Sequence, residues 1–392
     1  MTFKIEHATA DDYDELLDTL NSAFKKPPEK SFLQALPVMW RRTDEAMRKH
    51  LIIRDGARIA AVVGVYPFTV FIGKHKLLFS TVGNVGTRPE YEGRGMMRAL
   101  FTAAMEEARA IGTDVARLGG QRQRYNRYGF DIAAQQYSFN ITRKNISAYF
   151  DGSFEPGTKY EPKLTFRPIT ADDTAALAFA QSLQTVAPIH VDRGDTRRFY
   201  DVLIAWQNVP YVAEDANGKM VGYVSASHDF TGLAEHFALT PELHFQMLLD
   251  WVTHHEDIPY VAFVNSPYDI CLNRLLTKMA DGWYISSPSR FMVMDFRKLA
   301  EAALDLRAEL IAPAPKGRLI LKIEGYGTLD FTDGTVSSTD AAPMMTLNHL
   351  AATRFLFGQL SPMSIADIPY EARTYASALF PLPLSWNNQD RV

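Results

Sequence analysis

Two rhythms of apolar and polar positions run along this chain, and the places where one gives way to the other mark its elements. The stretch "IEHATADDYDELLDTL" from Ile5 predicts a short strand, then a Thr-Ala-Asp-Asp helix start, then apolar residues at helical spacing; "FRPITADDTAALAFAQ" from Phe166 repeats that order. Thr9 and Thr170 offer oxygens that can cap free N–H groups, and the aspartate pairs suit the positive end of a helix dipole. A hairpin is predicted next in each half. "HLIIRDGARIAAVVGVY" turns at Asp55-Gly56 and "YVAEDANGKMVGYVSAS" at Asn217-Gly218, dipeptides that favour the positive φ of tight turns. Similar segments in the same order point to a duplicated domain, with chance as the alternative for so short a match.

Breaks in the pattern set borders. "FDGSFEPGTKYEP" (150–162) is rich in Gly and Pro and reads as a linker, and "SSPSR" (286–290) as a weaker one. Beyond it "MDFRKLAEAAL" reads as helix, "GRLILKIEG" and "GTLDFTDG" as strands, and "MMTLNHLAATRFLFG" as helix again. The expected organisation is a mixed α/β chain with domains over 1–150, 151–288 and 289–392, the last a small α+β unit.

Composition narrows the classes. Lys plus Arg number 41 against 45 Asp plus Glu, a net charge of −4, which is no electrostatic footprint for nucleic acid or an anionic membrane. The N-terminus lacks a secretory pattern, and no run reaches the ~20 apolar residues of a membrane span, so a cytoplasmic protein is expected. The single cysteine, Cys271, excludes an internal disulfide and is expected as a small buried hydrophobe. The histidines of "WVTHHED" (251–257) match no metal spacing and read as a solvated helix end, so no metal is expected.

Chemistry concentrates in "RPEYEGRGMMRAL" (88–100). Upstream, "LLFSTVGNVGT" (77–87) predicts a buried strand whose Gly83 and Gly86 suggest a bulge or close ligand approach. Downstream, Met97, Leu100, Phe101, Ala104, Ala108 and Ile111 share one helical face that Gly112 can end. Between them Gly93 and Gly95 let successive N–H groups converge at a helix N-terminus, which suits a phosphate. A turn that needs glycine for geometry alone is equally compatible with the local string. A Rossmann site fits poorly, because its third glycine is absent and no early βαβ unit surrounds the turn.

The next element adds "DVARLGGQRQRYNRYGFDIA" (114–133), and here the sequence resembles the GNAT superfamily of acyl-CoA-dependent N-acetyltransferases. The strand, P-x-x-x-G-x-G and helix pattern of that superfamily matches Val85, Thr87, Pro89, Gly93 and Gly95, and its later Y-x-x-x-G-F pattern matches Tyr125, Gly129 and Phe130. Glu92 and Met97 depart from the usual loop, and "RGMMRAL" resembles instead the enhanced-intracellular-survival (Eis) branch. That resemblance implies tandem GNAT domains, the second degenerate, and a sterol-carrier-protein-like C-terminal domain. Near "HFALTPELHFQMLLDW" the second repeat has no glycine turn, so the cofactor is expected in the first repeat alone.

The resemblance also implies roles. Backbone groups of Val85, Gly86 and Thr87 would pair with a pantetheine arm, Val85 N–H would face the oxyanion, and N–H groups of Gly93, Arg94, Gly95, Met96 and Met97 would hold a pyrophosphate, with the Arg94 and Arg98 side chains nearby. Glu92 would either weaken the cofactor or face solvent. Tyr125 would be the general acid, and the α-carboxylate of Val392 the base through water. Asn84 stands where the branch's best-known member has an aromatic residue, which leaves Trp40 as either an acceptor-site wall or a core residue.

The function implied is acetyl transfer from acetyl-CoA to a primary amine of a small molecule, aminoglycoside- or polyamine-like, in a protein that can form homo-oligomers as Eis-like proteins do. The alternatives are a non-catalytic acyl-CoA-binding or sensing protein, and a lipid-carrying role for the C-terminal domain, which a shared fold alone does not establish.

Overall fold

The computed structural model describes residues 3–25, 31–153, 160–255 and 257–391. They form two compact units, one of residues up to Ala133 with Ser289–Leu382, the other of Ala134–Pro288 with Pro383–Arg391.

The first unit holds a sheet whose main path of seven strands runs Glu6–His7, His50–Asp55, Arg58–Ile72, His75–Thr87, Val115–Leu118, Ser289–Val293, Asp131–Ala133. Its centre is the long antiparallel pair Arg58–Ile72 and His75–Thr87, rich in the β-branched and aromatic residues that pack well on a pleated surface. His75–Thr87 is parallel to Val115–Leu118, and the helix Met96–Ala110 makes the crossover that parallel strands require. That helix buries Met96, Leu100, Phe101, Ala104, Met105 and Ala108. The stripe thus begins at Met96, with Met97 only half-buried, and Ile111 is exposed because the chain turns away at Gly112.

Residues 289–382 of this unit add a four-stranded sheet, in the order Thr335–Ser338, Gly327–Thr332, Arg318–Ile323, Met345–Leu347. Helices Phe296–Leu310, His349–Phe357 and Tyr370–Leu379 accompany it. The run from Met344 expected as helix is strand over Met345–Leu347, and helix starts only after Asn348, whose side chain accepts from Ala351 N at 2.9 Å. Lys298 Nζ to Asp114 at 2.7 Å and Arg354 Nε to Asp131 at 3.0 Å tie these helices to the first sheet.

The second unit repeats the strand order: Thr165–Pro168, Val209–Glu214, Met220–Ala226, Gly232–Ala238, Val261–Asn265, Gln136–Ile141, Trp283–Ser286. Again one central pair is parallel, Gly232–Ala238 with Val261–Asn265, bridged by the helix Pro241–His254. In both sheets the sixth place is filled by a strand distant in sequence, Ser289–Val293 in the first and Gln136–Ile141 in the second. The chain therefore changes sheets between Ala133 and Gln136, upstream of the expected border at 150, and residues 154–159 of the expected linker lie outside the described residues.

Two local expectations need correction. Thr9 is the N-cap of its turn in a capping box with Asp12, whose Oδ2 accepts from Thr9 N at 2.8 Å, but in the second segment the cap is Asp173, whose Oδ1 accepts from Ala176 N at 3.0 Å. Thr170 caps nothing, because the helix begins four residues later, at Thr174. Cys271 is exposed, at the second position of the helix Ile270–Met279 whose apolar face is carried by Leu272, Leu276 and Met279. Among the described residues no helix is long and apolar enough to cross a membrane.

Candidate active site

The parallel ladder between His75–Thr87 and Val115–Leu118 holds for three rungs, Phe79↔Val115, Ser80↔Ala116 and Thr81↔Arg117, and then stops. Beyond it the far half of His75–Thr87, Val82 to Thr87, pairs on one side only among the described residues. An open strand edge of this kind is a template for an extended partner. The last rung carries a polar wedge: Arg117, 1% exposed, donates from Nη1 to Thr81 Oγ1 at 2.9 Å and from Nη2 to Ser289 Oγ at 3.0 Å.

On the paired side the strand is bulged. Gly83 faces Gly64 and Gly86 faces Val62, so Asn84 and Val85 stand against Val63 alone. Asn84 takes φ +51°, a left-handed backbone that Asn tolerates better than most residues and that a bulge requires. The bulge re-aims the backbone from Val85 to Thr87. A Cβ on Gly86 would approach Leu20 Cδ2 to 3.0 Å and Ala23 Cβ to 3.2 Å, so glycine there lets the helix Tyr13–Ala23 lie close on the strand.

Arg88 then pins the chain. Buried at 2% exposure, it donates from Nε to Ile59 O at 2.9 Å and from Nη2 to Asp18 at 2.7 Å. A short turn, Pro89–Tyr91, leads into the exposed residues Glu92 to Gly95. Gly93 and Gly95 have φ +77° and +85°, which β-carbon-bearing residues rarely adopt, and the space a Cβ would enter at each is open. Gly95 is the residue before the helix and supplies no side-chain cap, so the first-turn N–H groups of Met96, Met97 and Arg98 face outward without a capping oxygen. This is an anion cradle with the positive end of a 15-residue helix behind it. The Arg94 side chain folds back, donating to Glu90 O at 3.0 Å and lying 4.9 Å over the Tyr91 ring. Glu92 faces solvent.

Tyr125 ends the short helix Arg122–Tyr125 and is 6% exposed. Its ring lies 5.4 Å from that of Phe101 and against Gly120, where a Cβ would come within 2.9 Å. Val85 and Met97 pack on the same apolar cluster, so strand bulge, cradle and tyrosine share one core. Burial raises the Tyr125 hydroxyl above its ordinary value, with Arg124 opposing, so the group is protonated at neutral pH. Val392 lies outside the described residues.

A second polar group sits beside the bulge. Asn84 Nδ2 donates to the Tyr66 hydroxyl at 2.6 Å, Tyr66 donates to His50 Nε2 at 2.7 Å, and His50 Nδ1 donates to Met47 O at 3.1 Å. Trp40 stacks on His50 at 5.5 Å and is 4% exposed, with its Nε1 lacking a hydrogen-bond partner among the described residues. Asn84 is thus drawn inward rather than forming a wall, and Trp40 is a core residue with one unused donor. Sequence reasoning named Asn84 and Trp40 but missed His50, Tyr66, Arg88 and Arg117. The signal available for the last was an arginine in an otherwise apolar strand, "DVARL".

The histidines His254 and His255 close the helix Pro241–His254, the first exposed and the second stacked on Phe230 at 4.6 Å. No group of three or more metal-binding side chains occurs among the described residues.

The family profile of the acetyltransferase (GNAT) domain matches residues 4–133. No curated protein is detectably similar in sequence. Similar solved structures include a probable N-acyltransferase from Enterococcus faecalis, 16% identical with a TM-score of 0.70 over 98% of each chain. A GCN5-related N-acetyltransferase from Anabaena variabilis is 15% identical, with a TM-score of 0.69 over 98% of each chain. Eis1 from Mycobacterium abscessus is 16% identical, with a TM-score of 0.66 over 97% of this chain and 99% of the other. At these identities the likeness is one of fold.

Proposed function

Residues 4–133 being an acetyltransferase (GNAT) domain, and the protein an acyltransferase, we propose that it transfers acetyl from acetyl-CoA to a primary amine of a small molecule, aminoglycoside- or polyamine-like. The observation that carries this reading is the open strand edge from Val82 to Thr87 leading directly into the Gly93–Gly95 cradle. An extended pantetheine arm bonds to such an edge, and a pyrophosphate fits the bare helix N-terminus at its end. Acyl-CoA has both parts in that order. Tandem GNAT domains and a sterol-carrier-like third domain belong to the same proposal, supported by the repeated strand order and the fold likeness.

The chemistry follows from the proton and charge balance. The amine nitrogen attacks the thioester carbon, the carbonyl oxygen gains negative charge that Val85 N–H would stabilise, and the C–S bond breaks. The attacking amine gives a proton to a base, and the departing sulfur takes one from an acid. We assign the acid to Tyr125 and the base to the α-carboxylate of Val392 acting through water. Burial raises Tyr125, which weakens it as an acid, but a thiolate forming in the same apolar surroundings is raised as well.

The test is acetyl-CoA offered with a panel of polyamines and aminoglycosides, read by release of free thiol. Thiol release that requires an amine supports the enzyme. Binding of acetyl-CoA with no release for any amine overturns it in favour of an acyl-CoA sensor.

A further inference from the structure

The second sheet opens at the same place in its strand order as the first. Its parallel strands Gly232–Ala238 and Val261–Asn265 pair at Gly232↔Ala262 and Leu233↔Phe263 and then separate. Between the separated ends lies a cavity of about 340 Å3, within the size range of small-molecule sites and lined wholly by the second unit. The phosphate cradle is missing here. Pro241 opens the following helix and brings no N–H, and the Thr240 hydroxyl already accepts from Leu243 N at 3.3 Å. A nucleotide-bearing acyl donor is therefore not the ligand this cavity is built for.

Its lining instead offers hydrogen-bond acceptors. Gln136 and Asn388 line the cavity, with their side-chain oxygens Oε1 and Oδ1 enclosed rather than facing it. Two histidines bring another acceptor. His236 Nε2 is 3.0 Å from Val264 O, so the proton of that ring is on Nε2 and its Nδ1 must accept. His244 Nε2, 2.7 Å away, therefore donates to it, which leaves His244 Nδ1 as a bare acceptor. Burial holds both rings in the neutral form, with His236 pulled down to about 4 and His244 well below its ordinary value, so no second proton is available.

That bare nitrogen faces Asp269 Oδ2 at 3.9 Å. Asp269 already accepts from Leu272 N and from the Asn265 side chain, and two acceptors at this separation cannot bond each other, so a donor can be shared between them. A nitrogen ~2.8 Å from each would sit roughly 2 Å off the line between them, with an angle that a tetrahedral ammonium can approach. The charge balance agrees. The lining includes no Lys or Arg. The buried Arg193 behind it is shared by Glu235 and Asp390, one positive charge against two negative.

We propose that this cavity binds a small organic ammonium ion, seated between His244 Nδ1 and Asp269 Oδ2. Such a site would let the second unit, stripped of its phosphate cradle, keep its notch for a different ligand. Burial pushes the Asp269 carboxyl up in the unliganded protein, and a cation beside it would favour the ionised form.

The experiment is titration calorimetry on the full-length protein with 1,4-diaminobutane, its uncharged analogue 1,4-butanediol, and succinate. The diamine should bind at least tenfold more tightly than the diol or the diacid. Asp269→Asn keeps a side-chain oxygen for Leu272 N, which Asp269 Oδ1 now caps at 3.2 Å, yet should weaken diamine binding about tenfold or more. Thermal melts report whether the variant folds. Binding of diol and diamine with equal affinity overturns the proposal. So does an unchanged affinity in folded Asp269→Asn, which would move the amine to another site, and so does the absence of diamine binding.

Discussion

The Tyr66 hydroxyl sits 2.7 Å from His50 Nε2, and this contact fixes the His50 proton on Nδ1, where Met47 O accepts it at 3.1 Å. Asn84 donates into the same chain from the bulge next to Val85, so the backbone geometry of the bulge is coupled to a buried, neutral imidazole. Burial holds His50 near a pKa of about 4, against about 6.5 in the unfolded chain.

This predicts a pH dependence of stability. Because the folded-state value is depressed, the unfolded chain binds more protons between these values, and stability rises with pH there. The contribution is fully present above about pH 6.5 and is lost as pH falls toward 4, by up to about 3 kcal/mol for His50 alone. Melting temperatures measured from pH 4 to 7 should fall on the acid side. His50→Gln, whose amide can replace both hydrogen bonds, should show a shallower fall. Parallel profiles for the two proteins would mean that His50 is protonated without cost.

Gly95→Glu places a side chain into the open space at the helix start and a negative charge where the pyrophosphate is assigned. The thermal shift produced by acetyl-CoA should vanish. The strain of a β-carbon at φ +85° should lower the melting temperature of the free protein by only a few degrees, about the effect of 1 kcal/mol. A retained acetyl-CoA shift would place the cofactor elsewhere.

Tyr125→Phe keeps the ring contact with Phe101 and removes only the hydroxyl. With the acid lost, kcat should fall 10²–10⁴-fold while the Kd for acetyl-CoA holds. Full turnover in this variant would leave Tyr125 a packing residue.

If the carboxylate of Val392 is the base, a C-terminal tag should depress amine turnover at neutral pH without changing acetyl-CoA binding, and an N-terminal tag should not. Raising the pH should partly restore the C-terminally tagged form, because more of the amine is then already deprotonated. Equal kcat for both tagged forms across pH would move the base to a side chain.

Local sequence determined the elements and the turn. The hairpins at Asp55-Gly56 and Asn217-Gly218, the strand ending at Thr87 and the helix beginning at Met96 follow from turn chemistry and periodicity, which act over a few residues. Gly93 and Gly95 were legible because positive φ at consecutive turns leaves glycine as the natural choice. Periodicity reports which face of a strand is buried, but not which strand lies beside it. Tertiary structure alone therefore decided that Ser289–Val293 completes the first sheet and Gln136–Ile141 the second. It also decided where each parallel pair separates, a matter of register between residues distant in sequence, such as Phe79 with Val115 and Gly232 with Ala262. The groups at those openings share the same origin. His50, Tyr66 and Asn84 are brought together from three strands, and His244 meets Asp269 across two helices, so no window of sequence contains either set.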